Sequence, residues 1–213
     1  MIKKFILIYN FFYKSSRISI LGLFLMYIIV YFFLNEFDDI QGCVVIYISV
    51  IFCITTNNNI FFYQEYEKSI IEQYIFTRTN ILHIAINKVI CFWLIYVLPI
   101  IIFASISYGL LSNNIIYGLK MLTSMILSTP IISVLTCMGS AIGLGQEVKI
   151  FNIINLLILL LSLPVTILGI TIIINNNYYT NDIISLFALL LFIIVPASFI
   201  AIKYLIDISI NEV

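Results

Sequence analysis

The stretch VICFWLIYVLPIIIFASISYGLL, residues 89–111, carries no charged side chain and decides the fold. A helix needs about 20 apolar residues to cross the hydrocarbon layer of a bilayer, and this run meets that length. It has no polar stripe to turn toward water, so all its faces belong against lipid or other apolar helices. Five more runs come close to the same pattern: 18–34, 40–56, 121–145, 151–174 and 183–206. The first two are short, and Tyr31, Phe32 and Phe33 extend the first into the interface, where aromatic rings settle. The reading is an all-α integral membrane protein of six transmembrane helices, forming one domain over residues 1–213.

Composition agrees. The chain is 63% hydrophobic and 9% charged, whereas a soluble domain carries roughly 25% charged residues to cover its wetted surface. The shortfall leaves no room for a second soluble domain beside the spans. A net charge of zero argues against a broad nucleic-acid surface, and none is expected as a partner. No cleavage site of small residues follows run 18–34, which is therefore expected to stay as an anchor.

The charges give the orientation. With a cytoplasmic N-terminus, the inner segments hold Lys3, Lys4, Lys14, Arg17, Lys68, Arg78, Lys88, Lys149 and Lys203, leaving Lys120 outside. The outer loops carry Glu36, Asp38, Asp39 and Asp182 instead. Basic residues concentrate on the cytoplasmic side of membrane proteins, so both termini are expected there. An odd number of spans would scramble this sorting.

Two segments are patterned without being spans. In residues 1–17, Phe5, Ile8, Tyr9 and Phe12 share one helical face, with Lys4 and Lys14 off it. Such a basic, aromatic helix lies in the inner interface. The polar stretch 57–88 carries Phe62, Tyr66, Ile70 and Tyr74 every fourth residue, with Glu65, Glu67, Lys68 and Glu72 on other faces. That spacing predicts a cytoplasmic amphipathic helix. Its acidic bias disfavours the negative inner leaflet, so the stripe is expected to dock on a protein.

Each of the last four runs contains one proline: Pro99, Pro130, Pro164 and Pro196. Proline removes a backbone donor and kinks a helix unless neighbours re-satisfy the freed carbonyl. In run 121–145, Thr129, Ser133, Thr136 and Ser140 share a face, with Gly139 and Gly143 in a G-x-x-x-G beside them. Small residues let helix backbones approach closely in lipid. The pattern fits either packing within one chain or a seam between subunits.

The absences narrow the chemistry. Cys43, Cys53, Cys91 and Cys137 sit in apolar runs, and the sole histidine, His83, falls in the 57–88 loop. These do not make a zinc site, which needs several N or S ligands at fixed geometry, and no metal or cofactor is expected. No charged residue falls deep in a run, which disfavours a proton-coupled carrier. There is no G-x-x-x-x-G-K-[ST] phosphate loop and no intramembrane acid–base constellation. No catalytic residue is assigned, and any energy for work has to come from a partner.

From about Phe61 to Gly169 the sequence resembles the haem exporter protein B (CcmB) family, the membrane subunit of the cytochrome c maturation ABC transporter. The stretch from Phe62 to Tyr74 carries it through Phe62, Glu65, Ile71, Glu72 and Gln73. Asn87-Lys88, Trp93, Leu98-Pro99, Ser128-Thr129-Pro130, Gly139 and Pro164 follow at similar spacing. Lys68-Ser69 departs from the acidic residue and glycine usual there. The resemblance implies an ABC-2-type permease with an N-terminal interfacial helix, whose 62–74 segment is a coupling helix for a separate ATP-binding cassette subunit (CcmA-like). It further implies CcmC-like and CcmD-like haem-handling subunits, a CcmE-like periplasmic haem chaperone reached indirectly, and a homodimer within the complex. The location implied is the bacterial inner membrane, or an organellar inner membrane. His83 then lies on the side away from periplasmic haem. A general exporter permease for a drug, glycan or lipid, and a purely structural membrane subunit, are the alternatives.

Overall fold

The computed structural model describes residues 39–56, 61–62, 81–144, 148–174 and 180–211. Among these the chain is helical throughout apart from turns, with no strand. Helix α1 spans Asp39–Thr56, α2 Ile81–Phe92, α3 Leu98–Leu111, α4 Ile115–Ile142, α5 Val148–Ile174 and α6 Thr180–Asn211. A π-helical segment, Trp93–Val97, joins α2 to α3, so the three run on as one rod. Four helical stretches are long and apolar enough to cross a membrane: Ile81–Leu111, Ile115–Ile142, Ile153–Ile174 and Ser185–Ile206. Gly42–Thr56 is a shorter apolar helix. Five of the six apolar runs are thus helices here, four of them at full spanning length. The 18–34 run and the 1–17 interfacial segment lie outside the described residues.

Two helix starts move by more than a turn. The helix expected at 121–145 begins at Ile115 instead, because the Asn114 side chain accepts the Ile116 N–H at 3.0 Å and caps it. Lys120 therefore sits on α4, its ammonium 5.5 Å from the centre of the Tyr117 ring. The helix expected to start at Val89 starts at Ile81, which takes His83 and Lys88 out of the 57–88 loop and onto the rod.

Helix α4 is the hub, packing against α5, α3, α6 and α1. It is the least apolar of the four spans, with mean hydropathy 1.8, and the most enclosed, at 67% buried. Helix α6 is the reverse, with hydropathy 2.7 and 17% buried. Lipid solvates leucine and isoleucine as well as protein does, so helices associate through small residues and polar contacts rather than through apolar burial. The hydroxyl-rich helix accordingly goes to the centre, and α6, apolar over most of its span, keeps Phe192 and Ile200 outward.

Helices α3 and α4 form a tight antiparallel hairpin. Asn113 takes the left-handed backbone conformation at φ 49°, which asparagine tolerates better than most residues. The Ser112 N–H closes on the Tyr108 carbonyl at 3.0 Å, and the Asn114 N–H on the Gly109 carbonyl at 3.2 Å. A methyl group on Gly118 would lie 2.8 Å from the Ser105 carbonyl oxygen and 3.1 Å from the Gly109 Cα. Both obstacles are backbone and cannot rotate away. Gly118→Ala is expected to destabilise the protein by about 1–3 kcal/mol through overpacking. Unfolding in detergent measures it, with lipid-facing Leu110→Ala, 70% exposed, as the near-neutral control.

Candidate functional site

The polar interior of the bundle is arranged in tiers along α4. In the first tier Tyr47 reaches from α1 between α4 and α5. Its hydroxyl lies 2.6 Å from Ser128 Oγ and 3.2 Å from Ser124 Oγ. Ser124 in turn donates to the Gly169 carbonyl of α5 at 2.6 Å. Gly169 has no side chain because the Tyr47 hydroxyl occupies the place of one, 1.9 Å from where a Cβ would stand. Three helices are thereby tied by three hydroxyls and one backbone carbonyl.

The next tier joins the rod to α4. The Trp93 indole N–H donates to Thr129 Oγ1 at 3.0 Å, and the Thr129 hydroxyl in turn donates a hydrogen bond to the Met125 carbonyl at 2.8 Å. Trp93 opens the π-helical segment, whose wide turn shows in the bond from the Leu98 N–H back to the Trp93 carbonyl. Pro99 follows directly and has no N–H to continue an ordinary ladder. Such π segments are rare and collect at functional sites. Within it Tyr96 is 2% exposed, and its hydroxyl has no hydrogen-bond partner among the described residues.

The last tier brings in the start of the polar loop. Phe61 and Phe62 form a turn and are both buried. The Phe62 N–H donates to Ser140 Oγ of α4 at 3.0 Å. Lys88 of α2, 2% exposed, donates from its ammonium to the Phe61 carbonyl at 2.5 Å and sits 4.2 Å from the centre of the Phe62 ring. The Phe61 ring tilts against Phe92 at 4.7 Å between centroids, and Phe92 stacks on Tyr96 at 5.1 Å.

The residues singled out from sequence divide accordingly. Phe62 is turned into the bundle rather than outward. Glu65, Tyr66, Glu67, Ile70, Glu72 and Tyr74 lie outside the described residues. Thr129, Ser133, Thr136 and Ser140 are all buried on α4. Gly139 lies on α5 so closely that a Cβ there would meet the end of the Ile158 side chain at 1.7 Å. Gly143 ends α4, its N–H bonded to the Gly139 carbonyl at 3.0 Å. The small-residue stripe thus packs within this chain. Lys88 was expected at the loop's end, with no charge inside a span. It is instead a buried cation on the rod. Tyr47, Trp93 and Tyr96 were not foreseen as interior polar groups, because nothing local marks a tyrosine in an apolar run as hydrogen-bonded.

Among the described residues no group of three His, Cys, Asp or Glu could hold a metal. The four buried cysteines form no disulfide, and His83 is exposed on the first turn of α2. The arrangement is a set of polar clasps and stacked rings that link the Phe61–Phe62 turn to the spans.

Compared with known families, residues 21–205 match the model described as CcmB protein. No curated protein matches the chain.

Removing the Tyr47 hydroxyl isolates the first tier. Tyr47→Phe is expected to cost about 1 kcal/mol, the usual size of an interhelical hydrogen bond in a membrane. Reversible unfolding of the purified protein checks it, and a cost near zero would show the hydroxyl contacts to be dispensable.

Proposed function

The chain belongs to the CcmB protein family, and on that premise we infer that its task is to carry a partner's ATP cycle into a haem-handling complex. The family is the permease subunit of the haem-export, cytochrome c maturation ABC transporter. The chain is accordingly a multi-pass inner-membrane protein of that transport system and not itself a catalytic enzyme. Its ATP-splitting partner is a separate cassette subunit, CcmA-like, docking on the cytoplasmic stretch 57–88. Tyr66, Ile70 and Tyr74 form the docking stripe, flanked by Glu65, Glu67 and Glu72, while Phe62 anchors the near end inside the bundle. Run 18–34 supplies the span before α1, making six, with both termini cytoplasmic and 1–17 lying in the inner interface. Two copies of the chain work beside CcmC-like and CcmD-like subunits to release the haem-loaded CcmE-like chaperone.

The observation that carries this reading is the fastening of Phe61 and Phe62 to two different spans, through Lys88 on α2 and Ser140 on α4. A loop held that way cannot be displaced without loading the bundle. The absence of a phosphate loop in the sequence supports placing ATP hydrolysis elsewhere.

Two outcomes follow. Tyr66→Asp is expected to lower co-purification of the ATPase by about tenfold or more, since buried apolar anchors dominate interfaces. Undiminished recovery at normal membrane levels would remove the stripe from the interface. In a deletion strain, covalently haem-loaded chaperone should persist while c-type cytochromes disappear, read by haem-stained gels. An empty chaperone would move the protein's action ahead of loading, and normal cytochromes would favour a general exporter permease.

A further inference from the structure

We propose that Lys88 is a coupling residue, which transmits displacement of the cytoplasmic loop to the π-helical segment Trp93–Val97. The inference rests on the reading above, in that the loop receives motion from an ATPase, and it names the side chain through which that motion enters the spans.

The argument begins with the cost of the charge. A buried ammonium is tolerated only while acceptors surround it. The partners of Lys88 include the Phe61 carbonyl and the face of the Phe62 ring, and both of these belong to the turn that begins the loop. If the turn moves and α2 stays, those acceptors are withdrawn from an enclosed cation. If α2 moves with the turn, they are kept. The second course is the less costly, so the turn and α2 shift together. Ser140 holds the same turn to α4 through a neutral hydrogen bond, which gives way more readily than a charge-assisted one.

The motion then has a place to go. Phe61, Phe92 and Tyr96 are in file, with ring centroids 4.7 Å and 5.1 Å apart. Tyr96 lies in the π segment, where the helical ladder is already widened ahead of Pro99. Its buried hydroxyl lacks a partner among the described residues, and an unmet buried donor destabilises the arrangement that holds it. The rod is therefore poised at this segment, and a shift that gives the hydroxyl a partner is favoured. Trp93, bonded to Thr129, carries the shift onward to α4.

The test uses the intact complex with its ATPase, reconstituted in lipid. An environment-sensitive fluorophore is placed on Leu94→Cys, an outward position of the π segment, after Cys43, Cys53, Cys91 and Cys137 are replaced by alanine. With Lys88 present, ATP should change the fluorescence. Lys88→Met, apolar and of similar length, should reduce that change about tenfold, and Lys88→Arg should restore it to within about twofold, with ATPase recovery and ATP hydrolysis held within about twofold throughout. Phe92→Leu, which breaks the ring file and leaves the cation in place, should also damp the signal. A full signal in Lys88→Met overturns the proposal. So does its loss together with the bound ATPase, which would make Lys88 a mere fastener, and so does failure of arginine to rescue. An ATPase that does not co-purify even with Lys88 intact sinks the parent reading, and is recognised before any fluorescence is read.

Discussion

The bundle is governed by one rule of its solvent: a polar group withdrawn into lipid must find its partner within the protein. Helix α4 concentrates the groups to which the rule applies, with Ser124, Ser128, Thr129, Ser133, Thr136 and Ser140 all buried. Some close on their own helix, as Ser133 does on the Pro130 carbonyl and Thr136 on the Ser133 carbonyl, both at 2.8 Å. Others reach across, to Tyr47, Trp93, Gly169 and the Phe62 amide. The former settle the hydroxyls around the interior proline, and the latter decide which helices touch. The order of the bundle around α4 follows from that division.

The same rule sets how the bundle is fastened. Its interior is a set of clasps of graded strength. Hydroxyl pairs tie α1 to α4, a serine hydroxyl ties α4 to a backbone carbonyl of α5, and an indole ties the rod to α4. A cation fastens the loop. In low dielectric the charged clasp is the most costly to break, so the end that bears Phe61 and Phe62 is gripped more firmly than the middle.

Much of this architecture was legible in the sequence. Apolar length located the helical stretches described here, though not the first turns of α2 (residues 81–88), because the hydrophobic thickness of a bilayer is a hard constraint on a chain of this composition. The family resemblance rested on scattered residues whose order survived heavy substitution, and it stands. Less legible were the ends and the interior. A single Asn114 side chain moved a helix start by six residues. Lys88 was read as a loop charge, since Phe61 and Phe62, which contact it, are 27 and 26 residues upstream. Tyr47 meets Ser124 across 77 residues, a distance no local pattern spans. The G-x-x-x-G was ambiguous for a further reason: small residues promote any close approach, and only packing shows that Gly139 spends its on α5.

The α3–α4 hairpin bears on how the protein is made. Its contacts, from Ser105 against Gly118 to the Asn114 cap, lie within a short length of chain, so little loop entropy opposes its closure. Contacts of that kind form early, whereas distant ones form late. As the chain leaves the ribosome, the hairpin can enter the membrane as a finished pair, with its polar turn already satisfied. Tyr47 by then waits in α1 with its hydroxyl unmet, and its acceptors on α4 have only just arrived. Ser124 in turn completes its bond only when Gly169 of α5 is synthesised. Assembly is therefore ordered by the position of a glycine late in the chain, and the clasp that unites three helices is among the last interior contacts to close.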